Sequence, residues 1–154
     1  MINPKPTREY IEEALQSNRL AVLATVGDDQ PHASLIAITP FGGFRQLIFA
    51  TYRNTRKFRN LELNGKVAVL IEGANEEKSG IQNGFVITAY GVAEEISLAT
   101  TSTALQTHLQ KYPELLSFTS EPDCALILVT VENYQVVQGI DHVFWCSVHD
   151  LETI

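Results

Sequence analysis

A chain of 154 residues, 45% hydrophobic and 19% charged, is long enough to bury one core and has the composition of a globular protein. A formal net charge of -7 argues against general nucleic-acid binding, and no apolar run approaches the ~18 residues needed to span a bilayer. The start, Met1-Ile2-Asn3-Pro4-Lys5-Pro6, lacks the apolar core of a secretion signal, and Cys124 and Cys146 have neither metal nor redox spacing. The expectation is one domain over 1–154, with buried thiols in a reduced cytoplasm.

Thr7 to Ser17 has helical spacing, with Tyr10, Ile11, Ala14 and Leu15 on one face, Thr7 as a cap and Asn18 as the break. Leu20 to Val26 reads as a strand, turned by Gly27-Asp28-Asp29-Gln30-Pro31 into a second, His32 to Ile38. The turn Pro40 to Phe44 leads to a third, Gln46 to Thr51, and a short helix after Asn54 or Thr55 stops at Asn64-Gly65. Lys66 to Glu72 is a fourth strand. A polar loop, Gly73 to Asn83, precedes a long strand from Gly84 to about Glu95. Ser97 to about Lys111 is predicted as a helix facing inward through Leu98, Thr101, Leu105 and Leu109, ended by Tyr112-Pro113. After a loop or short helical turn over Leu115 to Asp123, Ala125 to Val131 is a core strand that Glu132 to Val137 continues or pairs with. The segment from Gly139 on holds Trp145, His142 and His149. Six or seven strands joined mainly by hairpins, with helices as insertions, predict a mainly β, antiparallel split barrel with peripheral helices. The hairpin between the first two strands disfavours a parallel α/β sheet.

Charge is placed unevenly along this acidic chain. Arg53, Arg56, Lys57 and Arg59 are four of its eleven Lys and Arg residues. They sit at a helix start, where the dipole is already positive and cations are disfavoured. A hydroxyl cap, free helix amides and cations converging on one point suit a dianion such as phosphate. The plain alternative is a solvated basic face.

Side-chain catalysis has little support. No Gly-rich dinucleotide or nucleotide loop, nucleophile elbow or HExxH occurs, and His32, His108, His142 and His149 lack zinc spacing. The adjacent pairs Asp28-Asp29 and Glu94-Glu95 do not form a carboxylate dyad, and Glu76-Glu77 lies in a polar loop. No catalytic residue and no metal site is assigned. A bound cofactor is therefore expected to carry any chemistry.

The order of parts resembles a known family. Leu23-Ala24-Thr25, Pro31-His32-Ala33-Ser34-Leu35, Leu47-Ile48-Phe49-Ala50-Thr51, Thr55-Arg56-Lys57 with Asn60-Leu61, Lys66-Val67-Ala68-Val69-Leu70 and Tyr90-Gly91-Val92-Ala93-Glu94 follow one another as in the pyridoxamine 5'-phosphate oxidase-like, FMN-binding split barrels. The match covers roughly residues 10 to 96. It implies that Thr55, Arg56 and Lys57 bind the FMN phosphate, with Thr51 and Tyr52 near the ribityl chain and phosphate. It also implies that the strand His32-Ala33-Ser34-Leu35-Ile36 lies against the isoalloxazine ring. The resemblance further implies a homodimer with two flavin sites at the subunit interface. Trp145 is the candidate for the second chain's contribution, against a plain core or interface role. Pyridoxamine phosphate oxidases proper add a basic pair on the second strand and a C-terminal Arg-x-His. Here that strand has neither Arg nor Lys and the chain ends Trp145-Cys146-Ser147-Val148-His149-Asp150, so a second phosphate grip is missing, which argues against vitamin B6 oxidation. The family's flavin-contacting glutamine falls near Phe85-Val86, with Gln82 close but out of register.

Two functions follow. One is an FMN-dependent oxidoreductase acting on a small molecule. The other is a module without turnover that stores or senses flavin, haem or a deazaflavin.

Overall fold

The computed structural model describes residues 5–73 and 85–153. The loop containing Glu76-Glu77, Gln82 and the first four residues lie outside them. Among the described residues the chain builds one eight-stranded antiparallel sheet with five helices. The strands are β1 (Leu20–Gly27), β2 (Gln30–Ala37), β3 (Thr39–Phe41), β4 (Gln46–Tyr52), β5 (Lys66–Gly73), β6 (Phe85–Ile96), β7 (Cys124–Gln138) and β8 (His142–Ser147). The helices are α1 (Arg8–Ser17), α2 (Arg56–Leu63), α3 (Thr103–Lys111), α4 (Leu116–Thr119) and α5 (Val148–Glu152). The sheet runs β2-β1-β5-β6-β7-β4-β3, with β8 also paired to β7. It curls around a core that includes Leu23, Leu47, Phe49, Val69, Ile87 and Ile127, closed on one side by Ile11 and Leu15 of α1. This is the expected antiparallel split barrel, with eight strands in place of six or seven. The extra pairing comes from β3, which falls inside the predicted Pro40–Phe44 turn, and from β8.

The long strand β7 organises the sheet. Its first half pairs with β4, its second half with β8, and its other edge with β6 along nearly the whole length. Of the two possibilities for Glu132 to Val137, the structure has the one in which it continues Ala125–Val131 in a single strand. The irregularity is a bulge opposite Tyr90 and Gly91. At Gly91 an added Cβ would sit 2.2 Å from the Thr130 carbonyl oxygen, so the strands approach this closely only around glycine.

The third helix is shorter than its periodicity predicts. It begins at Thr103, where the Ser102 hydroxyl accepts from the Leu105 amide, and the Ser97 hydroxyl takes the Ala99 amide further upstream. Hydroxyl side chains compete for backbone donors in such Ser/Thr-rich stretches and disfavour helix. Thr101 is exposed; Ala104, Leu105 and His108 form the buried face, with Leu98 and Leu109 half-buried beside them. The segment after it is a single 3-10 turn, Pro113–Leu115, followed by α4.

Candidate functional site

The stretch from Thr51 to Lys57 leaves the end of β4 and starts α2. Thr55 is the cap: its hydroxyl accepts from the Phe58 amide at 3.2 Å and donates to the Tyr52 carbonyl at 2.8 Å. Buried Thr51 lies behind it, with the two hydroxyls 3.4 Å apart. The hydroxyl pair shapes the turn, and the first amides of α2, at Arg56 and Lys57, have no intrahelical partner. The helix is fixed to the barrel by Asn60, whose buried amide donates to the Thr25 hydroxyl at 3.0 Å. An added Cβ at Gly27 would come within 2.0 Å of the Asn60 carboxamide oxygen, so glycine at the end of β1 makes room for that anchor.

The four cations of this region separate into two groups. Arg53, whose guanidinium lies 6.0 Å from the Phe58 ring centroid, is committed to the neighbouring strands. It donates to the carbonyls of Cys124 at 3.0 Å and Pro122 at 3.4 Å and pairs with Glu95 at 2.5 Å, clamping the ends of β4, β6 and β7 together. Its neighbour Asn54 gives its amide to the Asp123 carboxylate at 3.2 Å. Arg56 is exposed and has no ion-pair partner among the described residues, and the same holds for Arg59. Lys57 is half-buried and reaches β2, its Nζ 3.5 Å from the Leu35 carbonyl, and burial pushes its ammonium below the ordinary lysine range. A partly desolvated cation beside a solvated one, over free helix amides, gains most from an anion.

Among the described residues β2 stands at one end of the sheet, paired only with β1, so its outer edge has no strand partner there. Its side chains alternate. His32, Ser34 and Ile36 turn inward; Ile36 is core, and the Ser34 hydroxyl is buried without a hydrogen-bond partner. Leu35 points outward and is 64% exposed. Through Lys57 the structure therefore brings β2 to the start of α2. Thr51, Tyr52, Thr55, Arg56 and Lys57 also share that neighbourhood. Ile36 contributes only backbone there.

Trp145 lies elsewhere in the same chain. It sits on β8, 55% exposed, with its ring 5.5 Å from that of Tyr90. Two features near the site escaped the sequence reading. Phe118 of α4 stacks on Tyr52 at 4.4 Å, and Asp123 holds the backbone of the 53–54 turn. Neither has a sequence signal, because both are brought in by the 98–123 insertion. Asn60 had one: an Asn at a helical position flanked by Phe58 and Leu61 is a polar residue on an apolar face.

Fold and site together define a small antiparallel barrel with cations and free amides at a helix start beside an open sheet edge. The sequence profile described as pyridoxamine 5'-phosphate oxidase matches residues 7–138, and the chain belongs to that family. No curated protein matches it. Among solved structures it is similar to a heme binding protein from Mycobacterium smegmatis, at 18% identity and a TM-score of 0.81, covering 98% of this chain and 62% of that one. It is also similar to the General Stress Protein 26 from Bacillus anthracis, at 21% identity and a TM-score of 0.68, covering 92% of this chain and 98% of that one. HutZ, the heme storage protein from Vibrio cholerae, matches at 19% identity and a TM-score of 0.69, covering 87% of this chain and 97% of that one. At these identities the likeness is one of fold.

Proposed function

We propose that this protein binds FMN and uses it as an oxidoreductase on a small molecule, working as a homodimer in the cytoplasm. The observation that carries the reading is the start of α2: an N-cap hydroxyl, free amides, exposed Arg56 and half-buried Lys57 at the positive end of a helix dipole. In this reading Arg56, Lys57 and the first α2 amides hold the phosphate, shaped by Thr55 and Thr51, with Tyr52 alongside the chain that leads to the ring. The open edge of β2, from His32 to Ile36, offers donors and acceptors to the ring's polar rim, and the orphaned Ser34 hydroxyl is a further group available there. Bound FMN supplies hydride or electron transfer; the chain supplies position and charge.

The dimer is supported by an unusual sheet face. Register places Leu35, Val22, Leu70, Thr88, Gln135 and Trp145 in one row across six strands, with buried Thr88 and half-buried Gln135 at its middle, beside Tyr90, Val92 and Val143. Leu35, Leu70, Tyr90, Val92, Val143 and Trp145 all remain exposed. A contiguous apolar face of this kind marks an association surface, and a second copy laid on it would carry Trp145 toward its partner's cofactor. A Leu70→Glu substitution should convert a dimer to monomer in light scattering; a monomeric wild type would overturn this part.

The test of the cofactor is a visible spectrum of the purified protein after incubation with FMN and removal of unbound flavin by gel filtration. Flavin bands that stay with the protein and are lost in a Thr55/Arg56/Lys57 triple alanine are expected. A protein that ignores FMN ends the flavin reading. Haem binding is the second reading, favoured by the two heme proteins among the structural neighbours and by half-buried His32 on β2; a Soret band on adding haem, lost in His32→Ala, would select it. Anaerobic bleaching by NADH or NADPH, followed by reoxidation with candidate acceptors, separates an enzyme from a storage or sensing module.

A further inference from the structure

A cavity of about 570 Å³ lies between α3 and the turn from α4 into β7. Its walls are Leu98, Leu105, Leu109, Leu116 and Pro122, and Arg53 stands at one end. We propose that it is a binding site for a neutral, mainly apolar small molecule with a hydrogen-bond acceptor at the end that meets Arg53. The proposal is independent of the cofactor reading, in which Arg53 has no part.

Size comes first. The volume falls in the ~300–1,000 Å³ range of small-molecule pockets. The apolar walls are left incompletely covered: Leu98 and Leu109 are half-buried, and Leu116 at the rim is 60% exposed. A buried, well-packed core would have closed on such leucines.

Bracing explains why the walls stay apart. Arg53 ties the 122–124 turn to β6 through the Pro122 and Cys124 carbonyls and Glu95. Gln106 donates to the Thr100 carbonyl at 3.3 Å, and the Thr119 and Ser120 hydroxyls both donate to the Leu116 carbonyl, at 3.1 and 2.7 Å. Arg53 thus fixes the 122–124 wall without anything filling the space, while the Gln106, Thr119 and Ser120 bonds stay within their own segments.

Charge selects the ligand. The one guanidinium at the wall is already neutralised by Glu95, and Glu121 is a carboxylate in the same lining, so an anion gains little and meets repulsion. A cation would have only Glu121 to pair with, an exposed carboxylate whose solvation leaves little to gain, and would have to leave water for leucine walls. Arg53 spends three of a guanidinium's five N–H groups on Glu95 and the two carbonyls, and the rest can meet a carbonyl, ether or hydroxyl oxygen.

The test titrates the full-length protein with N-phenyl-1-naphthylamine, a neutral apolar fluorophore, excited in its own band. Saturable binding of one probe per chain is expected. Leu109→Trp, which fills the cavity, should weaken it at least tenfold, as should Leu98→Trp, a second filling variant should the first fold poorly. Ile140→Ala, at the exposed turn between β7 and β8, should leave it unchanged. Absent or non-saturable binding overturns the proposal, as do equal affinities in both folded filling variants. Loss of binding in Ile140→Ala would also overturn it, by placing the probe at that turn.

Discussion

Two basic clusters in this small protein meet opposite conditions. At the start of α2, Arg56 and Lys57 sit where the helix dipole is already positive, and Arg56 is left in solvent. At the end of α3, His108 and Lys111 occupy the last turn, where the dipole favours cations, and the protein itself supplies their partners. Lys111 Nζ donates to the carbonyls of Leu15 at 3.0 Å, Asn18 at 2.5 Å and Ile38 at 2.8 Å. The Tyr112 hydroxyl reaches Ile38 and Arg19, at 2.6 and 2.7 Å, and His108 Nδ1 lies 2.8 Å from the Thr39 hydroxyl. Burial, with the nearby Arg19 guanidinium as a smaller effect, holds the Lys111 ammonium down to about 8, which leaves it charged at neutral pH. Apart from His108 Nε2, which is buried without a hydrogen-bond partner among the described residues, the second cluster is satisfied by the protein itself and joins α1, the β2–β3 junction, β3 and α3. At the first, Arg56 has no ion-pair partner among the described residues. The lesson is that counting cations does not find a site; the partners each cation already has must be subtracted first, as Arg53 shows.

The contrast can be broken experimentally, and the hub at Lys111 should give the largest effect. Lys111→Met removes three charge-assisted hydrogen bonds, leaving the Ile38 carbonyl only the Tyr112 hydroxyl, and should cost about 3 kcal/mol of stability in urea unfolding, with FMN affinity of the folded protein unchanged. A comparable loss comes from acid. Burial, aided by the Lys111 charge, pushes His108 down to about 4, whereas an unfolded histidine titrates near 6.5. The unfolded chain therefore binds the extra proton first, and stability is full above pH 6.5, falls as pH drops, and levels off below about 4. A loss of roughly 2–3 kcal/mol across that window is expected, and His108→Gln should flatten it in denaturation curves run at successive pH values.

At the helix start the order of effects reverses, with binding changing more than stability. Arg56→Ala should weaken FMN by roughly 1.5–3 kcal/mol, the worth of a charge-assisted hydrogen bond, while unfolding shifts by less than about 0.5 kcal/mol. Unchanged affinity would reduce the cluster to a solvated basic face. Thr55→Ala is the smallest and most mixed case. Loss of the cap should cost about 1 kcal/mol in stability, and a fall in FMN affinity beyond that would show that the turn it shapes matters to the ligand.

Much of the frame was legible because it rests on local rules. The hairpin at Gly27 to Gln30, the capped helices at Thr7 and Thr55 and the alternation of β1 each follow from neighbouring residues. The structure puts Asp28 and Asp29 at positive φ, in the tight turn that their short side chains tolerate. Where local rules failed, long-range contacts or competing hydrogen bonds decided. The short strand β3 forms because β4 is there to pair with it, and α3 loses its first turn to serine and threonine hydroxyls.

Sequence alone thus determined the strands other than β3 and β8, the capped start of α2 and the concentration of Arg and Lys beside it, since each depends on residues close along the chain. Only the tertiary structure decided what those cations do. Arg53 is spent on Glu95 and on carbonyls from the far end of the 98–123 insertion, Lys57 is bent onto β2, and Arg56 is left in solvent. Which partner a side chain finds across space is set by packing, and no spacing along the chain encodes it.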